Sequence, residues 1–359
     1  YQEIDHTGPF SAVTKFDSRV TCAEELPILL RQAFREAVTG TPGPAHLDLD
    51  GLDGTIVADD IAEIEVIIEE EFTHLPPFRV EPEETLIKKA LGLLAKAERP
   101  IIVAGGGVIT SQAERELVTL AEQLSIPVAT SLNAKTVIPW DHPLAVGIPG
   151  LYSKDCANRA ICESDLVFFI GSHTGGQVTN DWRVPPMGTP VIQLDINPSE
   201  IGRSYPVKLG IMGDARASLK KLIKHAQPAP NRVEWLERIK SLVRIWEEEV
   251  AQFRESEVLP MRPERLCKEI SEYLPSDAVL VSDTGHAGIW TGTMIDLKHP
   301  GQSYLRCAGS LGWGIPAAIG AKCAVGSRPV VCFTGDGGIY YHLTELDTAL
   351  RFGINTVTV

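Results

Sequence analysis

Val330-Val331-Cys332-Phe333-Thr334-Gly335-Asp336-Gly337-Gly338 is the stretch from which the rest of the chain is read. A run of β-branched and aromatic residues that halts at Gly-Asp-Gly-Gly, with helix-forming sequence beyond, predicts a buried strand feeding a helix N-terminus. The first N–H groups of a helix have no partner inside it and its dipole favours negative charge, so a phosphate fits such a junction. Glycines let the backbone approach closely. Asp336 would repel that phosphate unless a hard cation lay between them, and Mg2+ held by one carboxylate and phosphate oxygens meets the need. For Gly-Asp-Gly alone, an acidic residue in an exposed turn is the plain alternative.

Upstream, Gly309-Ser310-Leu311-Gly312-Trp313-Gly314-Ile315-Pro316-Ala317-Ala318-Ile319-Gly320-Ala321-Lys322 reads as a small-residue helix that must pack closely on something. With Gly-Asp-Gly-Gly and the later Glu345-Leu346-Asp347-Thr348-Ala349, it resembles the cofactor-binding domain of thiamine-diphosphate (ThDP) enzymes. The nearest likeness is to the large, catalytic subunit of the acetolactate synthase group, and it runs over essentially the whole chain. It implies α/β doubly wound parallel sheets in consecutive domains, the ThDP-enzyme fold in truncated form.

The 359 residues suffice for two or three domains, each with its own core. Hydrophobic residues at 44% and charged residues at 22% suit a soluble globular protein, and no apolar run reaches membrane-spanning length. No signal peptide follows Tyr1, and no membrane partner is expected. A net charge of −14 argues against nucleic acid, which demands a basic surface. Cys22, Cys156, Cys162, Cys267, Cys307, Cys323 and Cys332 form no CxxC pair, so neither a zinc site nor a disulfide scaffold is expected. Several lie in apolar stretches and read as buried thiols, in keeping with a reducing, cytoplasmic setting.

Along the chain, residues 24–38 predict a helix with Leu26, Leu29, Leu30, Ala33, Phe34 and Ala37 on its apolar face, and residues 45–49 a short strand. Residues 55–82, acidic and proline-containing, read as a linker. Helices at 85–96, 112–124 and 155–163 then alternate with apolar strands at 101–104, 127–130, 166–171 and 191–195. Continuous apolar strands separated by helices mean a parallel sheet covered on both faces. A connector helix is expected at 236–253, a helix at 263–273, a strand at 278–282 ending in the polar turn Asp283-Thr284-Gly285-His286, and a last strand within 355–359. The resemblance divides the chain into a remnant of the pyrimidine-binding domain (1–54), a linker (55–84), a central doubly wound domain (85–228), a connector (229–262) and part of the diphosphate-binding domain (263–359).

In such enzymes the diphosphate is anchored and the aminopyrimidine folded back toward the thiazolium. The resemblance places Asp336 as metal ligand, with Gly335, Gly337 and Gly338 as the backbone cradle. It places Gly285 and His286 at the diphosphate, where acetolactate synthases usually show Gly-Gln-His and this chain has Gly-His-Ala. Gly309 falls where its carbonyl meets the aminopyrimidine, Ser310 counts among the cofactor-binding residues, and Leu311 falls where a large aliphatic residue wedges the cofactor into its folded shape. Leu311 as plain core is the other reading. The family's second metal-binding residue, an Asn, is expected beyond Val359. Its activating glutamate is expected before residue 1 and is not reassigned to Glu3, so no catalytic residue is named and residues 1–359 alone are expected not to turn over.

Flavin (FAD) stays open. Gly105-Gly106-Gly107 follows a strand, but Thr110 breaks the dinucleotide fingerprint, while Asp195 ends a later strand where it could meet a ribose. Flavin-containing relatives carry an Arg-Phe-Asp-Asp-Arg-like segment where this chain has His173-Thr174-Gly175-Gly176-Gln177, which weighs against flavin. The function implied is ThDP- and Mg2+-dependent decarboxylation and carboligation of 2-keto acids in a homodimer or homotetramer with the site at the subunit interface. A 2-keto acid decarboxylase or C–C lyase of the same family is the alternative, and a non-catalytic nucleotide-binding module is the alternative of another class.

Overall fold

The computed structural model describes residues 4–49, 65, 67–228 and 232–359. Glu3, residues 55–64 and 66 of the expected linker, and residues 229–231 of the expected connector lie outside the described residues. The chain separates into two compact units, Tyr1–Val80 and Glu81–Val359.

The first unit contains α1 (Thr7–Ser11), β1 (Phe16–Val20), α2 (Leu26–Val38) and β2 (Ala45–Leu49). β1 and β2 pair in parallel, with α2 as the crossover. Proline in its first turn suits the start of α2, where an N–H would be unpaired anyway. The apolar face expected to be buried is only partly so: Ala33 is buried, whereas Leu30 and Phe34 stay exposed among the described residues. β1 was not expected from the sequence. Its pattern Phe-Asp-Ser-Arg-Val carries too few apolar residues to stand out.

The second unit holds two all-parallel sheets. The first arises from α3 (Glu84–Lys96), β3 (Pro100–Ala104), α4 (Gly106–Thr110), α5 (Glu114–Leu124), β4 (Val128–Thr130), β5 (Ala145–Gly147), α6 (Asp155–Glu163), β6 (Leu166–Ile170), α7 (Gly176–Thr179), β7 (Val191–Asp195), β8 (Leu209–Met212) and α8 (Ala215–His225). Its six strands run in the order β5-β4-β3-β6-β7-β8. Alternate residues of each strand serve opposite faces. Ile102, Ala104, Phe168 and Ile170 pack with α3, α5 and α8, whereas Ile101, Val103, Val167 and Phe169 pack with α6 and the long helix α9 (Val233–Arg254). Burying one such side chain contributes about 1.5–3 kcal/mol, which is why both faces must be covered. The edge strands β5 and β8 escaped the sequence reading because each is only three or four residues long.

α10 (Pro263–Tyr273), β9 (Val279–Ser282), α11 (His286–Thr293), β10 (Ser303–Arg306), α12 (Gly314–Val325), β11 (Val330–Phe333), α13 (Asp336–Tyr341), α14 (Glu345–Phe352) and β12 (Val357–Thr358) build the other sheet. Its order is β10-β9-β11-β12. Leu280, Tyr304 and Phe333 face α10 and α11, and Val279, Val281, Val330 and Cys332 face α12. Doubly wound α/β architecture thus holds for both sheets. Two expectations change. The small-residue helix begins at Gly314 rather than Gly309, so residues 309–313 form a turn at the sheet's edge. Cys156, Cys267 and Cys332 are buried, but Cys162 and Cys323 are exposed; all seven thiols are free.

Candidate functional site

Three segments leave the carboxyl ends of adjacent parallel strands: residues 283–286 after β9, 307–313 after β10 and 334–338 after β11. Each leads into a helix, at His286, Gly314 and Asp336. Parallel sheets present ligands at this edge because the helices that follow point their free N–H groups there.

The three segments are fastened by one side chain that the sequence reading passed over. Asp283, 1% exposed, accepts at Oδ1 from the backbone N–H groups of Thr284 (2.7 Å) and Gly312 (3.0 Å). Its Oδ2 accepts from the Gly314 N–H (3.3 Å) and the Thr334 hydroxyl (3.0 Å). A single carboxylate therefore caps α12 from another strand and ties all three loops. The only signal in the sequence was an acid at the end of an apolar strand. Thr284 adds a further tie, its hydroxyl accepting from the Gly309 N–H at 3.2 Å.

Glycine is required at two places in this cluster. Gly312 has φ +84°, and a Cβ there would stand 2.4 Å from the Tyr341 Cβ. A Cβ on Gly338 would stand 2.9 Å from Asp283 Oδ2, so any side chain would push α13 off the hub.

Gly285, Gly309, Ser310, Leu311, Gly335, Asp336, Gly337 and Gly338 are brought to this one edge, together with His286, the first residue of α11. Leu311 is 48% exposed, a large apolar side chain held out of the core beside Gly285. Asp336 is exposed at the first position of α13, with Gly335 in extended conformation at its N-cap. No group of three or more His, Cys, Asp or Glu side chains suited to a metal occurs among the described residues. One carboxylate such as Asp336 with ligand oxygens and water is the manner in which Mg2+ binds phosphates.

The glycines after β3 serve packing. The Gly105 N–H donates to Ile170 O (2.8 Å) and the Gly107 N–H to Gly171 O (3.0 Å), so both are engaged by the neighbouring strand end. Asp195 is buried, its Oδ1 accepting from the Asn197 N–H at 2.9 Å, and burial pushes its carboxyl upward. His173 is exposed in the loop after β6.

The class defined by this arrangement is a parallel α/β protein that gathers glycine turns and helix N-termini into an anion-accepting edge. Residues 87–222 match the central domain of thiamine pyrophosphate enzymes, and residues 283–359 match their C-terminal TPP binding domain. The chain belongs to the thiamine pyrophosphate enzyme family. It is 36% identical to a probable acetolactate synthase large subunit of Methanocaldococcus jannaschii, over 99% of this chain and 61% of that protein. It is 31% identical to the acetolactate synthase large subunit of Corynebacterium glutamicum, over 97% of this chain and 55% of that protein. It is 32% identical to the glyoxylate carboligase of Escherichia coli O157:H7, over 100% of this chain and 60% of that protein. The chain thus spans about three fifths of the length of these relatives. No helix among the described residues is long and apolar enough to cross a membrane.

Proposed function

We propose that the protein of which this chain forms the central and C-terminal domains is a ThDP- and Mg2+-dependent enzyme that decarboxylates a 2-keto acid and joins the product to an acceptor. The observation that carries this reading is the convergence of three loops on Asp283, which leaves Leu311 and Asp336 exposed at one edge. ThDP, when bound, supplies a thiazolium that accepts the electrons released as carbon dioxide leaves.

The chain's own residues hold and shape it. Asp336 would hold Mg2+, the backbone of Gly335, Gly337 and Gly338 would cradle the diphosphate, and Gly285 and His286 would meet it from the start of α11. Gly309 would meet the aminopyrimidine through its carbonyl, Ser310 would add to the cofactor-binding surface, and Leu311 would hold the cofactor in its folded conformer. Asp283 touches no reactant in this scheme and acts as a positioning residue. The acetolactate synthase relatives favour a 2-keto acid acceptor, and the glyoxylate carboligase relative extends the candidate substrates to glyoxylate. The setting is cytoplasmic, in a homodimer or homotetramer with the site at the subunit interface, and the domain limits are those read from the sequence.

Titrating ThDP by calorimetry with and without Mg2+, then measuring carbon dioxide release with and without an acceptor keto acid, tests the proposal. Metal-independent or absent ThDP binding refutes it. Release that no acceptor diverts into a condensed product replaces carboligation with simple decarboxylation.

A further inference from the structure

Away from the cofactor edge, the two sheets of the second unit meet around a group of buried charges. Lys154 Nζ donates to Asp296 Oδ1 at 2.8 Å, and Arg254 Nη2 pairs with Asp296 Oδ2 at 2.9 Å, so both carboxylate oxygens are taken. The Lys154 ammonium also lies 3.1 Å from the centroid of Trp140 and 4.3 Å from that of Trp246. Lys135, on the turn after β4, reaches across to α11, where Nζ donates to Gly292 O at 2.7 Å near the helix's C-terminal end. Lys135 and Lys154 are both buried.

Between these groups is a cavity of about 20 Å³, lined by both lysines, Asp296 and Thr130 with apolar walls that include Ile148 and Leu297. An open cleft of about 420 Å³ adjoins it and shares Trp140, Ala145 and Asp296 with the cavity. Three cationic groups face one carboxylate. An ammonium has three donors, and one acceptor is recorded for Lys135. Buried charge without a counter-charge is costly, and a water molecule can accept a hydrogen bond but cannot neutralise. The cavity exceeds the roughly 10–15 Å³ that one water needs and so leaves space for a single small ion.

We propose that this cavity binds one small monovalent anion of halide size, such as chloride, between Lys135 and Lys154.

The inference is independent of the cofactor chemistry. Burial first, and then the neighbouring Lys154 charge, pushes Lys135 down to about 7. The groups facing it are Lys154 from the loop after β5, Asp296 after α11, Arg254 at the end of α9, Cys267 on α10 and the Tyr304 ring on β10. Burial pushes the Cys267 thiol up to about 12 and also raises Tyr304, so both stay neutral. Burial lowers Lys154 as well, opposed by its ion pair with Asp296, and Lys135 at about 7 supplies the proton linkage. An anion favours its protonated form, so affinity falls as pH rises past that value, on the order of thirtyfold between pH 6 and pH 8.5 for one linked proton.

The test uses sodium bromide and sodium chloride against sodium gluconate at equal ionic strength. Thermal midpoints are followed at both pH values for wild type and Lys135→Met, and wild-type crystals soaked in bromide are searched for anomalous scattering. The expected results are a bromide peak in the cavity, a halide-dependent rise in midpoint at pH 6, affinity about thirtyfold weaker at pH 8.5, and loss of the response in Lys135→Met. No peak, or a halide response equal at the two pH values, overturns the proposal. So does an equal response in Lys135→Met; if that variant does not fold, the wild-type map and pH comparison decide.

Discussion

Asp283→Asn puts the proposed positioning role to a quantitative test. The amide keeps one oxygen, which retains the Thr284 and Gly312 N–H groups, but presents an NH2 where Oδ2 received the Gly314 N–H and the Thr334 hydroxyl. Thr334 can rotate to accept, whereas the Gly314 N–H is left facing a donor. Losing that bond to a charged acceptor costs about 1.5–3 kcal/mol. The two retained bonds fall to roughly half strength without the charge, adding about 1–2 kcal/mol. The sum, about 2.5–5 kcal/mol, should appear as a lower urea midpoint at unchanged slope. Cofactor affinity gives a second, sharper readout. Removing a negative charge near an anion site favours the anion electrostatically, so weaker ThDP binding by folded Asp283→Asn must come from loosened loops. Wild-type stability together with wild-type or tighter ThDP binding would refute the idea that this carboxylate organises the edge.

Four further outcomes are expected. Asp336→Ala should remove the gain in ThDP affinity on adding Mg2+, at least tenfold or about 1.4 kcal/mol, and calorimetry showing the gain intact would remove Asp336 from the metal site. Leu311→Ala should cost under about 1 kcal/mol of stability, because the side chain is half exposed, against about 2–5 for a buried leucine; turnover per folded molecule should fall far more, and the reverse pattern would make it ordinary packing. Asp296 is pushed up by burial but held down at about 2 by the charges of Lys154 and Arg254. A depressed carboxyl pKa contributes stability above its unfolded value near 4 that is lost as pH falls through the folded value, so Asp296→Asn should lose about 3–5 kcal/mol at pH 7 and show a flatter acid limb between pH 4 and 2. The full-length protein should purify without stoichiometric flavin, checked by visible absorbance, since residues 173–177 lack the arginine-containing segment.

Strand and helix periodicity is a local property, so the sequence alone determined the alternation, the parallel sheets and the strand–turn–helix at 330–338. Binary pattern and glycine punctuation act over a few residues and do not wait for tertiary contacts. The family could be read for the same reason, because its motifs are contiguous. Contacts between distant residues decided the rest. The Asp283 hub takes donors from residues 284, 312, 314 and 334, and nothing near Asp283 in the sequence announces the last three. The turn at 309–313 looked helical by composition, yet Asp283 captures the Gly312 and Gly314 N–H groups and starts α12 at Gly314. Nothing local in the sequence sets Lys135, Lys154, Arg254 and Asp296 apart from other charged residues. Folding brings them from four separate segments into one desolvated junction, and the free energy of a buried charge depends on its neighbours in space, which a linear sequence does not display.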